Sequence, residues 1–522
     1  MLFPQNDHDL RDILERARNG GCKVRPTGST MSAPSSIMEE TFESDTVVVS
    51  LDEYVASDPE WAETVLIHEG AESATVRASA GMTQLDLYSF IRPKHYFLPT
   101  ITPSYFFTLG GLVANFVHGS SFGKGPYNDY VQSMRVMLHD GNIKHITDKE
   151  ELRYWRNSYG LLGIILNVEL IVVKRPHFWT GILPKQSLSG GWNQDSFDAH
   201  INHIKEEYTA GEWFLDPYTK EFVVIVQNDL KDNTRDKPVL QDSDCIWNVW
   251  NGQCEPSKGC SYQYNFGDWS VHDSCRTTHS SLSIDDEYPP PSVATMKQTY
   301  HELIRDNPML GVTGPNIEGG EQTLVRLASR AGLEHLLPGI SFSTISQNVK
   351  ESYETRNDGF WPEASLPLTM PLLEYLVKPA KLFQVLTEII DLNPDVNMPL
   401  EWRFVTFDEK DSAHLNPGNI QSGEWACMQV LIFDVPGHNP DGWKNTFFEV
   451  ERILQQAGGT PHPAKYFGMA KNSDGMVQPF VDVPSNLLYN EAQKQEFREY
   501  ARMMDPEERF WSGFMADYIS TY

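Results

Sequence analysis

At 522 residues the chain exceeds what one hydrophobic core organises, and at ~100–200 residues per domain it divides into two or three units. A formal charge of −29 excludes general nucleic-acid binding, which needs clustered Lys and Arg, and no run of about 18 apolar residues offers a membrane span. With 22% charged and 11% aromatic residues the composition is that of a globular chain rather than a disordered one, and six cysteines are too few for a disulfide framework.

The first residues, Met1-Leu2-Phe3-Pro4, lack the basic and apolar regions of a signal peptide, so a cytoplasmic protein is expected. Leu10, Ile13, Leu14 and Ala17 recur at helical spacing over 7–19, with Asp7 placed to cap the start and Gly20-Gly21 to end the helix. Strand-like Cys22-Lys23-Val24-Arg25 runs into Pro26-Thr27-Gly28-Ser29-Thr30-Met31-Ser32, a polar loop whose amides and hydroxyls suit a phosphate; the plain alternative is a turn. Residues 46–51 and 74–81 read as strands, and 83–90 returns to helical spacing.

Residues 108–123 place Gly110-Gly111 and His118-Gly119-Ser120 on either side of a short apolar run. Glycine lets a main chain approach a ligand without a Cβ in the way, so this stretch reads as a cofactor cradle. Residues 131–138 and the turn Asp140-Gly141-Asn142 read as a hairpin. Ser158-Tyr159-Gly160-Leu161-Leu162-Gly163-Ile164-Ile165 then leads into a strand over 167–173.

Taken in order, Arg25-Pro26-x-Gly28-Ser29, Ala80-Gly81, Thr108-x-Gly110-Gly111, His118-Gly119-Ser120, Asp140-Gly141 and Ser158-x-Gly160-Leu161-Leu162-Gly163-Ile164-Ile165 resemble the PCMH-type FAD-binding domain of the vanillyl-alcohol oxidase superfamily, over about residues 5–175. The resemblance implies that Arg25, Pro26, Thr27, Gly28, Ser29, Thr30, Met31 and Ser32 wrap FAD together with Gly81, Thr108, Gly110, Gly111, His118, Gly119 and Ser120. It also implies that Gly163, Ile164 and Ile165 lie near the adenine end. Members that tether the flavin covalently from the first loop carry Gly-His-Ser where this chain has Thr30-Met31-Ser32. Methionine offers no nitrogen to the flavin methyl, so FAD held without a covalent bond is expected.

From about residue 176 helical and strand-like pieces alternate irregularly, and 241–291, rich in Asp, Ser, Gly, Cys and Pro, reads as a long surface insertion or lid. It holds Cys245, Cys254, Cys260 and Cys275 with no CxxC pair, so no metal site is expected there. On an extended strand Glu401 and Arg403 share one face, with Leu400, Trp402 and Phe404 on the other. Alone, such a pair reads as a surface ion pair. Glu401-x-Arg403 followed by Asp408 and Leu415-Asn416-Pro417 resembles the cap-domain signature of the aldonolactone oxidoreductases and alditol oxidases.

Gly458-Gly459-Thr460-Pro461-His462-Pro463-Ala464-Lys465 follows an amphipathic helical pattern over 443–457 and resembles that family's Pro-His-Trp-Gly-Lys segment, with Pro463 and Ala464 replacing Trp and Gly. Residues 504–510 resemble its closing segment, which packs back on the FAD domain.

The expected fold is therefore α+β: a two-subdomain PCMH-type FAD-binding domain (1–175), an α+β cap or substrate domain (176–435) and a C-terminal segment (436–522) that completes the active site. The resemblance implies oxidation of a hydroxyl-bearing small molecule of sugar, aldonolactone or alditol type, with O2 or another electron acceptor. Under it Arg403 is a fixed cation, Glu401 orients substrate, Lys465 is the base or hydrogen-bond donor, His462 a competing base and Gln429 a substrate contact. The altered Pro463-Ala464 motif and the cysteine-bearing insertion leave a second reading, a specialised flavin oxidase of an amine or other secondary metabolite.

Overall fold

The computed structural model describes residues 2–29, 32, 45–94, 96–100, 107–174, 177–182, 186–230, 245–248, 253–256, 262–265, 268–271, 371–396, 399–409, 412–420, 422–432 and 442–521. Thr30, Met31, Cys260 and Cys275 lie outside the described residues, and the expectation of untethered flavin rests on two of them.

The first helix, Asp7–Gly20, ends at Gly21 in the left-handed conformation (φ 70°). Its cap is Asn6 rather than Asp7, because the Asn6 side chain accepts from the amides of His8 and Asp9 at 2.9 and 3.1 Å. Asp7 turns inward, where its Oδ2 pairs with Arg135 at 2.6 Å beside Tyr54.

Strands Lys23–Thr27 and Thr46–Ser50 pair in parallel. Next to them is a six-stranded antiparallel sheet in the order Val65–Ile67, Ser73–Ser79, Ile164–Lys174, Val131–Met137, Ile143–Ile146, with Tyr96–Phe97 added beside Ile164–Lys174. The expected hairpin is present, with Met137 opposite Ile143. The closing segment returns to the first strand, where the Val24 amide donates to the Arg509 carbonyl at 2.8 Å and the Arg509 guanidinium donates to the Cys22 carbonyl at 2.7 Å.

A second, ten-stranded antiparallel sheet follows. Its centre runs Glu221–Leu230, Ala210–Asp216, Leu400–Phe407, Gly423–Leu431, Leu372–Val377, Thr460–Pro461. Helices Gln194–Glu207, Pro379–Leu392 and Gly442–Gln456 pack against this sheet, and Phe197 from the first of them lies 6.1 Å from Trp402, ring to ring. The other face of the Leu400–Phe407 strand meets Phe116 of the cradle stretch, whose ring stacks on Phe407 at 5.8 Å. One strand thus carries an apolar side toward helices and a second side toward the glycine-rich segment.

The described residues of the insertion form strands where a loop was expected. Cys245–Asn248 pairs with Gln253–Pro256 and extends the large sheet, and Tyr262–Asn265 pairs with Asp268–Val271. Cys-Ile-Trp-Asn and Tyr-Gln-Tyr-Asn supply the aromatic and β-branched residues a strand prefers.

Candidate active site

Strand register assembles the site. Glu374 lies opposite Gln429 and Gln429 opposite Glu401, and in the adjoining row Leu376 lies opposite Cys427 and Cys427 opposite Arg403. Side chains alternate along a strand, so Glu374, Gln429, Cys427, Glu401 and Arg403 share one face. Phe214 pairs with Glu401, which brings Glu212, two residues earlier, to the same face.

Arg403 is the hub. Its guanidinium lies 2.8 Å from Glu401 Oε1, 3.6 Å from Glu212 Oε1 and 3.8 Å from Glu374 Oε1, and donates to Gln429 Oε1 at 3.4 Å. Gln429 Nε2 in turn donates to Glu401 Oε2 at 3.1 Å. Arg403 and Glu401 are 7% and 9% exposed, so the pair is buried rather than a surface bridge.

Burial and the neighbouring Glu212 and Glu374 outweigh Arg403 and Lys465 and push Glu401 up to about 8. Burial would raise Glu374 as well, but His118, His462 and Arg403 hold it well below the usual carboxylate range. Burial, reinforced by Glu374, pushes the Cys427 thiol well above its ordinary value.

Two other segments close over this face. From the cradle, His118 Nε2 meets Glu374 Oε1 at 2.7 Å and Nδ1 meets the Gly119 carbonyl at 3.1 Å. Both partners are acceptors, so both contacts form only when each ring nitrogen carries hydrogen.

From the C-terminal side, Thr460–Pro461 adds to the sheet edge beside Tyr375 and Leu376, and the His462 amide donates to the Glu374 carbonyl at 2.9 Å. The buried His462 ring lies 5.8 Å from that of His118, and its Nδ1 accepts from the Ala464 amide at 3.1 Å. Burial holds His462 well below its ordinary value. Lys465 is half-buried, and burial together with nearby Arg403 lowers its ammonium pKa against the pull of Glu374 and Glu401. The chain beyond is pinned by Glu451, which accepts from the Gly468 and Met469 amides at 2.7 Å and from the Tyr375 hydroxyl.

Among the described residues His118, Glu374 and Cys427 offer ligand atoms within 4.8 Å of one another. Arg403, 3.8 Å from Glu374, and a thiol held protonated both oppose a cation there.

The cradle segments meet as the sequence order implies. A Cβ on Gly28 would stand 2.2 Å from Thr108 Oγ1, and one on Gly81 would stand 2.0 Å from the Leu51 carbonyl oxygen, so both main chains run in direct contact with their neighbours. Gly110 donates to the Ala80 carbonyl at 2.8 Å, Thr108 caps Gly111 at 3.3 Å, and Asn115 donates to Ser32 at 3.2 Å. Arg25, Gly119 and Ser120 are buried, and the Ser120 hydroxyl has no hydrogen-bond partner among the described residues. A buried hydroxyl of this kind fits a polar cofactor, while the Cβ positions of Gly28, Gly81 and Gly110 face Thr108, Leu51 and Ala80. Pro26, Thr27 and Ser29 line the same turn, half-buried. Gly163, Ile164 and Ile165 are buried at the start of the Ile164–Lys174 strand, against Met137 and Val136.

Glu374, Glu212 and Cys427 were not singled out by sequence. The available signal was a carboxylate inside an apolar strand run, Leu372-Leu373-Glu374-Tyr375-Leu376 and Ala210-Gly211-Glu212-Trp213-Phe214, which burial makes costly without a partner.

Residues 1–147 match the family described as FAD binding domain, and residues 333–519 match the D-arabinono-1,4-lactone oxidase family. The chain is 29% identical over 181 residues to the probable L-gulonolactone oxidase 1 of Arabidopsis thaliana, a match that spans 32% of this chain and 28% of that protein's length. Among solved structures, the cholesterol oxidase of Brevibacterium sterolicum superimposes with a TM-score of 0.62 at 12% identity, over 99% of this chain and 93% of that one. A solvent-stable cholesterol oxidase gives 0.61 at 13%, over 99% and 94%. At these identities the structural likeness is one of fold.

Fold, cradle and matched segments together define an FAD-binding flavoprotein of the oxidoreductase class, built on a PCMH-type α+β architecture. Within that class residues 333–519 are similar to the aldonolactone oxidase type. No helix among the described residues is long and apolar enough to cross a membrane.

Proposed function

We propose that this protein oxidises a CH–OH group of a small sugar-like molecule, an aldonolactone or alditol, by hydride transfer to FAD, and passes the electrons to O2 or another acceptor. The observation that carries the reading is the buried Glu401–Arg403 pair, held by half-buried Gln429, on a sheet face that meets the cradle segment on one side and the His462–Lys465 loop on the other. The Arabidopsis relative's name and the lactone oxidase family match support the substrate class.

Residues 25–32, Gly81, Thr108, Gly110, Gly111, 118–120 and 163–165 would hold FAD, which would supply a hydride acceptor. The chain's residues do the rest. Arg403, kept charged by three carboxylates, is a fixed cation for negative charge that develops as the hydroxyl is oxidised. Glu401 receives or orients a substrate hydroxyl, and Gln429 holds its second oxygen in place. Lys465, its ammonium weakened by burial, takes the hydroxyl proton. His462 is poorly suited to proton abstraction, because its Nδ1 accepts the Ala464 amide, so in the neutral ring the proton sits on Nε2, which then donates.

Arg403→Ala is expected to slow flavin reduction about 10²-fold or more, far more than it lowers FAD content. Anaerobic stopped-flow reduction across alditols, aldonolactones and amines, followed by admission of air, tests substrate class and acceptor together. Bleaching by amines alone would replace the sugar reading with the metabolite-oxidase one, and unchanged kinetics in Arg403→Ala would remove that residue from the chemistry.

A further inference from the structure

Glu374 faces both halves of the site. It is 1% exposed, lies midway along the Leu372–Val377 strand, and uses one oxygen, Oε1, toward His118 of the cradle at 2.7 Å and toward Arg403 of the substrate face at 3.8 Å. Its carbonyl accepts the His462 amide at 2.9 Å, so its main chain also sets the loop that carries Lys465. Its second oxygen, Oε2, is buried with no hydrogen-bond partner among the described residues.

A buried carboxylate with a lone oxygen is costly, and a sheet strand needs none to pack. What this one holds is two groups from segments 256 residues and 29 residues away, the His118 ring across the longer gap and the Arg403 guanidinium across the shorter one. Two groups that share one carboxylate oxygen in a low-dielectric interior cannot be placed independently.

We propose that Glu374 is a positioning residue that ties the cofactor-side loop to the Arg403 side of the site through the His118–Glu374–Arg403 contact, so that seating of the FAD loop and placement of the guanidinium are one linked arrangement. This rests on the proposed flavin-dependent oxidation for its rate arm and on the cradle alone for its binding arm.

Glu374→Gln keeps an acceptor for His118 and removes the charge; Glu374→Asp keeps the charge. In purified holoenzyme, Glu374→Gln is expected to lower FAD content at least 5-fold, read from visible absorbance after gel filtration. In the flavin-loaded fraction it is expected to slow substrate reduction at least 10-fold, with less than a 3-fold change in the substrate dissociation constant. Glu374→Asp is expected to recover at least half of both losses.

A loss on one side only, or an Asp variant as impaired as the Gln variant, overturns the proposal. If Glu374→Gln does not accumulate as folded protein, His118→Asn carries the same test from the cradle side. It is expected to slow reduction at least 10-fold, and a wild-type rate overturns the linkage. If no CH–OH compound reduces the wild type, the sugar reading falls, and the FAD-content arm alone then decides this proposal.

Discussion

Glu401 and Arg403 stand two residues apart on one strand and hold each other at 2.8 Å, yet the carboxyl is pushed up to about 8 because burial, reinforced by Glu212 and Glu374 around the same cation, outweighs Arg403. One guanidinium cannot fully neutralise three carboxylates away from water, so the site keeps a proton that an exposed glutamate would release.

A pH dependence of stability follows. The folded value for Glu401, about 8, lies above its ordinary 4.5, so the folded state binds this proton more tightly than the unfolded one. The stabilisation is complete below about 4.5 and lost as pH rises through about 8. At ~1.4 kcal/mol per unit the effect is on the order of a few kcal/mol. Thermal midpoints of holoenzyme between pH 5 and 8 should fall more steeply in wild type than in Glu401→Gln, and parallel slopes would show that the proton resides elsewhere.

Lys465 gives a kinetic counterpart. A lysine whose ammonium is weakened by burial acts as a base once deprotonated, so flavin reduction should rise with pH through that lowered value. Lys465→Met is expected to reduce kcat/KM by about 10²–10⁴-fold and to abolish the rising limb, and Lys465→Arg should not restore it. Stopped-flow rates across a pH series measure both; a retained limb in Lys465→Met would reassign the base.

The buried Asp7–Arg135 pair is a stability element remote from this chemistry. Arg135 donates to Asp7 at 2.6 Å, to Tyr54 at 3.0 Å and to Asn167 at 3.2 Å, tying the first helix to the six-stranded sheet. Arg135→Met leaves the Asp7 charge buried and unpaired, an expected loss of about 3–5 kcal/mol. Denaturant unfolding of Arg135→Met and of the double variant with Asp7→Asn checks it, the second change recovering part of the loss.

The cradle is testable through Gly28. An added Cβ would meet Thr108 Oγ1 at 2.2 Å but Thr108 Cβ at 3.4 Å, which is ordinary contact. Gly28→Ala should therefore lower FAD content several-fold, and Thr108→Ala should relieve it at the cost of the helix cap on Gly111, about 1 kcal/mol. Equal flavin content in both glycine-variant backgrounds would detach the steric clash from cofactor binding.

Local pattern carried much of the architecture. The 2-residue period of a strand put Glu401 and Arg403 on one side, glycines and turn residues marked the hairpin at Gly141 and the close approaches at Gly28 and Gly81, and the motif order pointed to the flavin fold. Even there, the cap of the first helix went to Asn6, because Asp7 has a stronger claim on it from Arg135, 128 residues away.

What a strand's period cannot encode is what packs on each side. It left the Glu401–Arg403 pair equally compatible with solvent; burial came from Phe116 and the His462–Lys465 loop closing over that face. Glu374 and Glu212 entered the site through register with strands far away in sequence, and the His118 ring meets Glu374, a contact no local pattern foretold. Sequence determined which side chains share a surface, since alternation along a strand is local geometry. Only the tertiary structure decided which surfaces meet, and so which carboxylates must share one buried cation.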